Sequence, residues 1–226
     1  MNARFHRQLA FTLIELMAAI GIAALLCVIG LGALNHVRSA QRESTCVANL
    51  RQVGLAMTLY TNEHNFQLPG PLWRGQSPVY QIGPEGGFDI SKGNLAAFLG
   101  PYLRFEPLAP GGEAVAKVLT CPAWRSAAPE SQDLCYYSAG EFQQEESMLF
   151  PFGRSGGDPI DPMRITAIAN PATTPAFWEF DKDLTGGIGF YYTEPRVPAE
   201  PVHEKFRNVL YFDGHVSAKA VGLPLF

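Results

Sequence analysis

All 18 prolines of the chain lie at or beyond Pro69, so the first 68 residues contain none. Proline lacks an amide donor and clashes with the preceding helical turn. A proline-free stretch can therefore run as unbroken helix, whereas a proline-dense one must turn repeatedly. Of the 22 glycines, 18 also lie beyond Pro69. These two distributions place the main boundary at Leu68-Pro69. Before it stands a helical segment, and after it a turn-rich domain over residues 69–226.

Within the helical segment, the 24 residues from Phe11 to Leu34 carry one formal charge, Glu15. About 20 apolar residues cross the hydrocarbon core of a bilayer, so residues 11–34 are expected to form a transmembrane helix. A short leader with Arg4 and Arg7 precedes the run. A cleaved secretory signal would have an apolar stretch of roughly 7–15 residues and a small-residue cleavage site behind it; the run is longer and no Ala-x-Ala site follows. Basic residues flank both ends, Arg4 and Arg7 on one side and Arg38 and Arg42 on the other. Charge counting therefore does not orient the segment. A carboxylate inside such a run costs roughly 2.5–3.5 kcal/mol at the bilayer centre, which raises the question of what neutralises Glu15.

Residues 35–68 read as an amphipathic continuation of the same helix. Val47, Leu50, Gly54, Met57 and Thr61 recur at helical spacing, with Leu55 and Leu59 widening the stripe, while Arg42, Glu43, Asn49 and Gln52 face elsewhere. A helix from Phe11 to Asn62 would be roughly 75–80 Å long at 1.5 Å per residue. Its outer stripe is expected to pack on the C-terminal domain.

The segment "AFTLIELMAAIGIAALL" (10–26) resembles the N-terminus of type IV prepilins and type II secretion pseudopilins. The resemblance implies that a prepilin peptidase cuts between Ala10 and Phe11, releasing residues 1–10, and then methylates the new N-terminus at Phe11. It further implies that Glu15 meets the N-terminus of an adjacent subunit and sets the stagger of assembly. One departure from the pattern is Ala10, where the family usually has glycine. The implied setting is the bacterial inner membrane, crossed once, with the N-terminus cytoplasmic and the C-terminal domain periplasmic. Other pilin or pseudopilin subunits and the secretion or pilus assembly machinery are the implied partners.

Beyond Pro69, "GNLAAFLGPYL" (93–103) reads as a short helix ending near Gly100-Pro101. "TTPAFWEFD" (173–181) and "RNVLYFDGHVSAKAV" (207–221) read as strands, the latter a hairpin with Asp213-Gly214 as its two-residue turn. The expected fold is α+β: a long N-terminal helix on a small antiparallel sheet with irregular loops. "HEKFRNVLYFDGH" (203–215) resembles the His-x9-Asp-Gly signature found at the C-terminus of a bacterial group of prepilin-like proteins, and "YTNEHNFQLP" (60–69) and "LTCPAW" (119–124) also fit that group.

His203, Asp213 and His215, with Asp181 and Asp183, are candidate metal ligands. Yet ten steps of extended strand cover about 33 Å, which separates His203 from Asp213 unless the chain folds back. The alternative is structural: Asp213 serves its turn, and His203 makes a hydrogen bond in the preceding loop. Calcium is a further candidate, because type II major pseudopilins bind it in a C-terminal loop and "EFDKD" (179–183) offers oxygen ligands, though not a full pattern. Of the four cysteines, Cys27 lies in the membrane run and Cys46 on the helix; Cys121 and Cys135, 14 apart in a loop-rich stretch, could pair in an oxidising periplasm. No C-x2-C pair exists, which argues against a zinc knuckle.

No G-x-S-x-G, P-loop or H-E-x-x-H occurs, and Gly-rich "GRSGGD" (153–158) has neither an evident strand before it nor a helix after it. An enzyme is not expected. A net charge of −4 without basic runs gives no sign of nucleic-acid binding. The expectation is a structural subunit of a pseudopilus or pilus-like fibre. The contrasting class is a membrane-tethered periplasmic binding module that does not polymerise.

Overall fold

A computed structural model describes residues 12–106, 108–127, 136–139, 142–144, 147–155, 158–179, 181–183 and 197–223, with backbone alone at 29–36, 137–138, 142–144 and 147. The fold is α+β. Helix α1 (Leu13–Glu63) comprises 51 residues and is followed by β1 (Gly75–Gln76), β2 (Val79–Gln81), α2 (Leu95–Leu103), β3 (Glu113–Val115) and α3 (Pro122–Ala127). Then come β4 (Tyr136–Ser138), β5 (Phe142–Gln144), β6 (Ser147–Leu149), β7 (Pro175–Glu179), β8 (Phe206–Tyr211) and β9 (Val216–Ala220). The chain divides into two compact units between Gln41 and Arg42.

In the first unit, α1 begins with a capping box. The Thr12 amide donates to Glu15 Oε2 at 2.9 Å, and the Glu15 amide donates to Thr12 Oγ1 at 3.3 Å, which satisfies amides that a helix start otherwise leaves unpaired. Every described side chain from Thr12 to Val28 is exposed. Leu13, Ile14, Met17, Ile20, Ile22, Leu25 and Leu26 point outward on all sides, Leu13 at 77 % and Leu26 at 63 % exposure. A helix apolar all round is suited to lipid or to other helices rather than to water. Among the described residues no helix is long and apolar enough to cross a membrane. The described side chains of the apolar run stop at Val28 and resume at Val37.

The second unit is built on a five-stranded antiparallel sheet in the order β1-β4-β7-β8-β9, with two separate ribbons, β2-β3 and β5-β6. Central strand β7 is buried at all five positions, while outer strand β9 has no buried residue. The α1 residues within this unit contribute Cys46, Leu50, Val53, Ala56 and Met57 to a core shared with Leu68, Leu99, Trp124, Phe177, Val209 and Leu210. Leu50, Gly54, Met57 and Thr61 of the stripe read in the sequence are buried and Val47 is half-buried, and Cys46, Val53 and Ala56 extend the buried face. Leu55 and Leu59 do not widen it; they are 62 % and 42 % exposed.

Two local readings also change. Helix α2 does not end at Pro101 but carries it and closes at Arg104, whose amide donates to the Gly100 carbonyl with left-handed backbone. Pro101 removes one donor, and Tyr102 and Leu103 still pack against the core. Four residues, Phe212 to His215, connect β8 and β9 rather than two. Gly214 donates to the Tyr211 carbonyl at 2.9 Å, and Tyr211 donates to His215 O at 3.0 Å. Only Gly214 in this turn has positive φ, +88°. This is the pattern of a turn closed by a left-handed residue, so Asp213 keeps ordinary backbone and the glycine alone is required.

Candidate functional site

Strand β8 joins two structural sites, one at each end. At its N-terminal end the chain reverses over Pro201–Lys205: Glu204 donates to Pro201 O at 2.9 Å and has φ of +60°. The reversal turns the His203 ring back onto the sheet, stacked on Phe206 with centroids 5.3 Å apart. His203 Nε2 lies 3.2 Å from Glu179 Oε1 at the end of β7, and both side chains are almost wholly buried. The same nitrogen is 3.6 Å from Cys121 Sγ. Glu179 is held in turn by Asn208, whose amide donates to Oε2 at 2.9 Å. Burial lowers the imidazole's proton affinity, but the hydrogen bond and charge of Glu179, helped by Glu43, outweigh it and hold the His203 pKa above its ordinary value.

Cys121 is bonded to Cys46 of α1, a sequence separation of 75. This corrects the pairing of Cys121 with Cys135; Cys135 lies outside the described residues. The physical reason is the phase of α1, which puts Cys46 one turn before Leu50 on the buried face. The adjacent Thr120 carbonyl accepts a hydrogen bond from Asn49 Nδ2 at 2.8 Å, a second tie between the same elements. Cys46 Sγ, Cys121 Sγ, a Glu179 oxygen and a His203 nitrogen all lie within 4.8 Å of one another. Only His203 of this group was among the expected metal ligands.

The other expected ligands are dispersed in separate pairs. Arg207 on β8 donates to Asp181 through Nε at 2.6 Å and a terminal nitrogen at 2.8 Å, both partners buried. Asp183 is exposed, 3.6 Å from the same guanidinium. Both Asp181 oxygens are thus occupied by a cation, which leaves "EFDKD" poorly placed to ligate calcium; Phe180 lies outside the described residues. At the C-terminal end of β8, Asp213 Oδ1 accepts from the His215 amide at 3.1 Å and lies 2.6 Å from His215 Nδ1. His203 and Asp213 therefore flank β8 and serve different partners.

The turn at Gly214 also seats α1. A Cβ on Gly54 would lie 2.9 Å from Leu210 Cδ1 and 3.2 Å from the Gly214 carbonyl oxygen. The helix can approach the hairpin only because residue 54 has no side chain. Asn208 and the Cys46–Cys121 bond were not singled out in the sequence, and Gly54 was read there only as part of the helical stripe. The signal for Cys46 was its phase with Leu50 and Met57.

In the first unit the carboxylate of Glu15 also accepts from Thr12 Oγ1 at 2.8 Å. Ala10 and Phe11 lie outside the described residues. The motif around them is independently identified: residues 5–31 match the prokaryotic N-terminal methylation motif, so that segment is similar to the N-terminus of type IV prepilins and pseudopilins. No curated protein and no solved structure matches the chain.

Proposed function

We propose that this prepilin-like chain is a structural subunit, stored in the bacterial inner membrane and polymerised into a type II secretion pseudopilus or type IV pilus-like fibre. The observation that carries this reading is the helix start inside the methylation motif. There a sleeve of exposed apolar side chains surrounds a single carboxylate, Glu15. Water is a poor environment for that sleeve, whereas lipid before assembly and neighbouring helices after it both cover it.

Processing supplies the charge that Glu15 lacks. Prepilin peptidase cuts between Ala10 and Phe11, and the new ammonium keeps its charge when methylated. Before assembly Glu15 accepts neutral hydrogen bonds from Thr12. Exchanging these for the ammonium of another copy gives a charge-assisted contact where solvent is absent. An unpaired charge there is costly, so one axial register is favoured over the rest. The C-terminal unit then faces the periplasm, where the Cys46–Cys121 bond can form.

The capping box also supports a second reading. It gives Glu15 a role within its own chain, which is all that a membrane-tethered periplasmic module would need. Processing is tested by co-expression with a prepilin peptidase and mass measurement of the mature N-terminus. The proposal expects N-methylated Phe11 as the first residue; an uncut chain, or one beginning elsewhere, would refute it.

A further inference from the structure

We propose that, when its two sulfurs are reduced, the chain binds one zinc ion through Cys46, Cys121, His203 and Glu179. The proposal is independent of any assembly role, because it concerns the second compact unit alone.

The ligand set is the first argument. Two thiolates and an imidazole with one carboxylate select zinc over calcium or magnesium, which prefer all-oxygen shells. The geometry is the second. In a tetrahedral site with Zn–S near 2.3 Å and Zn–N near 2.0–2.1 Å, a sulfur and a nitrogen stand about 3.5 Å apart. His203 Nε2 is 3.6 Å from Cys121 Sγ, and 3.2 Å from Glu179 Oε1. Two edges of the tetrahedron are therefore near their required lengths. The sulfurs, bonded to each other here, must part to about 3.8 Å, and the other ligand atoms already lie within 4.8 Å of one another.

The surroundings are the third argument. A disulfide needs no acid or imidazole beside it, yet Glu179 is buried with His203 against this one. Asn208 fixes the Glu179 carboxylate from behind, as an outer partner orients a metal ligand. The ligands come from α1, the segment before α3, the end of β7 and the loop before β8, so the metal would tie together the same elements as the disulfide.

The chemistry balances in two steps. A dithiol reductant gives two electrons and two protons to the Cys46–Cys121 bond, leaving two thiols and becoming a disulfide itself. Zinc binding then releases those two protons and displaces the one that His203 Nε2 shares with Glu179, which passes to Nδ1 from a neutral ring or to solvent from a charged one; the ion takes two thiolate sulfurs, His203 Nε2 and Glu179 Oε1. Oxidation reverses both steps and expels the metal.

The test uses the full chain in detergent with Cys27 and Cys135 replaced by serine, either oxidised or reduced with a phosphine under anaerobic conditions. Zinc is titrated against a chromophoric chelator, and cobalt(II) serves as a spectroscopic probe. Expected results are one equivalent bound by the reduced chain and none by the oxidised one, with the intense visible bands of tetrahedral cobalt and a thiolate charge-transfer band. Glu179→Gln and His203→Asn should each weaken binding at least about tenfold. Should either variant fail to fold, the comparison of reduced and oxidised chain still decides. The proposal is overturned if the reduced chain binds no more zinc than the oxidised one, or if cobalt bound to it is octahedral without a sulfur band.

Discussion

Asp181 and Arg207 form the best-partnered buried ion pair among the described residues, with two hydrogen bonds between them. Removing one charge from such a pair strands the other in a low-dielectric interior. Asp181→Leu is therefore expected to destabilise the folded unit by about 3–5 kcal/mol, while Asp181→Leu with Arg207→Met recovers most of that loss. Denaturant unfolding of the single and double variants measures both values. Gly54 makes the complementary steric case. Gly54→Val would push side-chain atoms into Leu210 and the Gly214 backbone, and overpacking of this kind costs about 1–3 kcal/mol. A midpoint unchanged in Gly54→Val would mean that α1 does not rest on the hairpin as described.

At the scale of elements, β8 is the strand on which the C-terminal signature hangs. His203 enters it from a tight reversal, and Asp213-Gly214 leaves it into the hairpin that seats α1. Gly214 has positive φ but open space around a built Cβ. Its replacement thus tests backbone strain alone. Gly214→Ala should cost about 1–2 kcal/mol, and Gly214→Asn less, since asparagine tolerates the left-handed region. Equal losses for the two variants in chemical denaturation would point to a side-chain clash instead.

Much of this level was legible in the sequence. Proline spacing marked the long helix, and aromatic and β-branched runs marked β7 and β8. The mutual separation of His203 and Asp213 followed from strand rise. What was not legible depended on how distant elements meet. Cys46 and Cys121 are 75 residues apart, and no local spacing links them. The phase of α1 decided which of its apolar residues faced inward, burying Val53 and exposing Leu55, although both are equally apolar. Likewise, Glu179 was read only within "EFDKD" and Asn208 only as an interior position of the C-terminal signature; they became partners only when β7 paired with β8.

For the whole molecule, the Cys46–Cys121 bond closes a loop that begins in the helix and ends before α3. In the chain-entropy account a loop of this size contributes about 4 kcal/mol. Cys46→Ser should lower stability by that order, and adding a metal-free reductant to the native chain should produce a similar loss. The midpoints of urea unfolding with and without reductant check both statements. This tie belongs to the second unit, and the sleeve of exposed apolar residues belongs to the first.

In the first unit, the proposed role of Glu15 is to meet the amino end of another copy. The direct measurement is the yield of fibre from cells expressing Glu15→Gln, with the mature N-terminus determined in parallel. The account predicts a chain cut before Phe11 and anchored in the membrane, yet almost absent from fibres. Fibres in normal amount from that variant would contradict it and leave the capping contact with Thr12 as the acid's whole role.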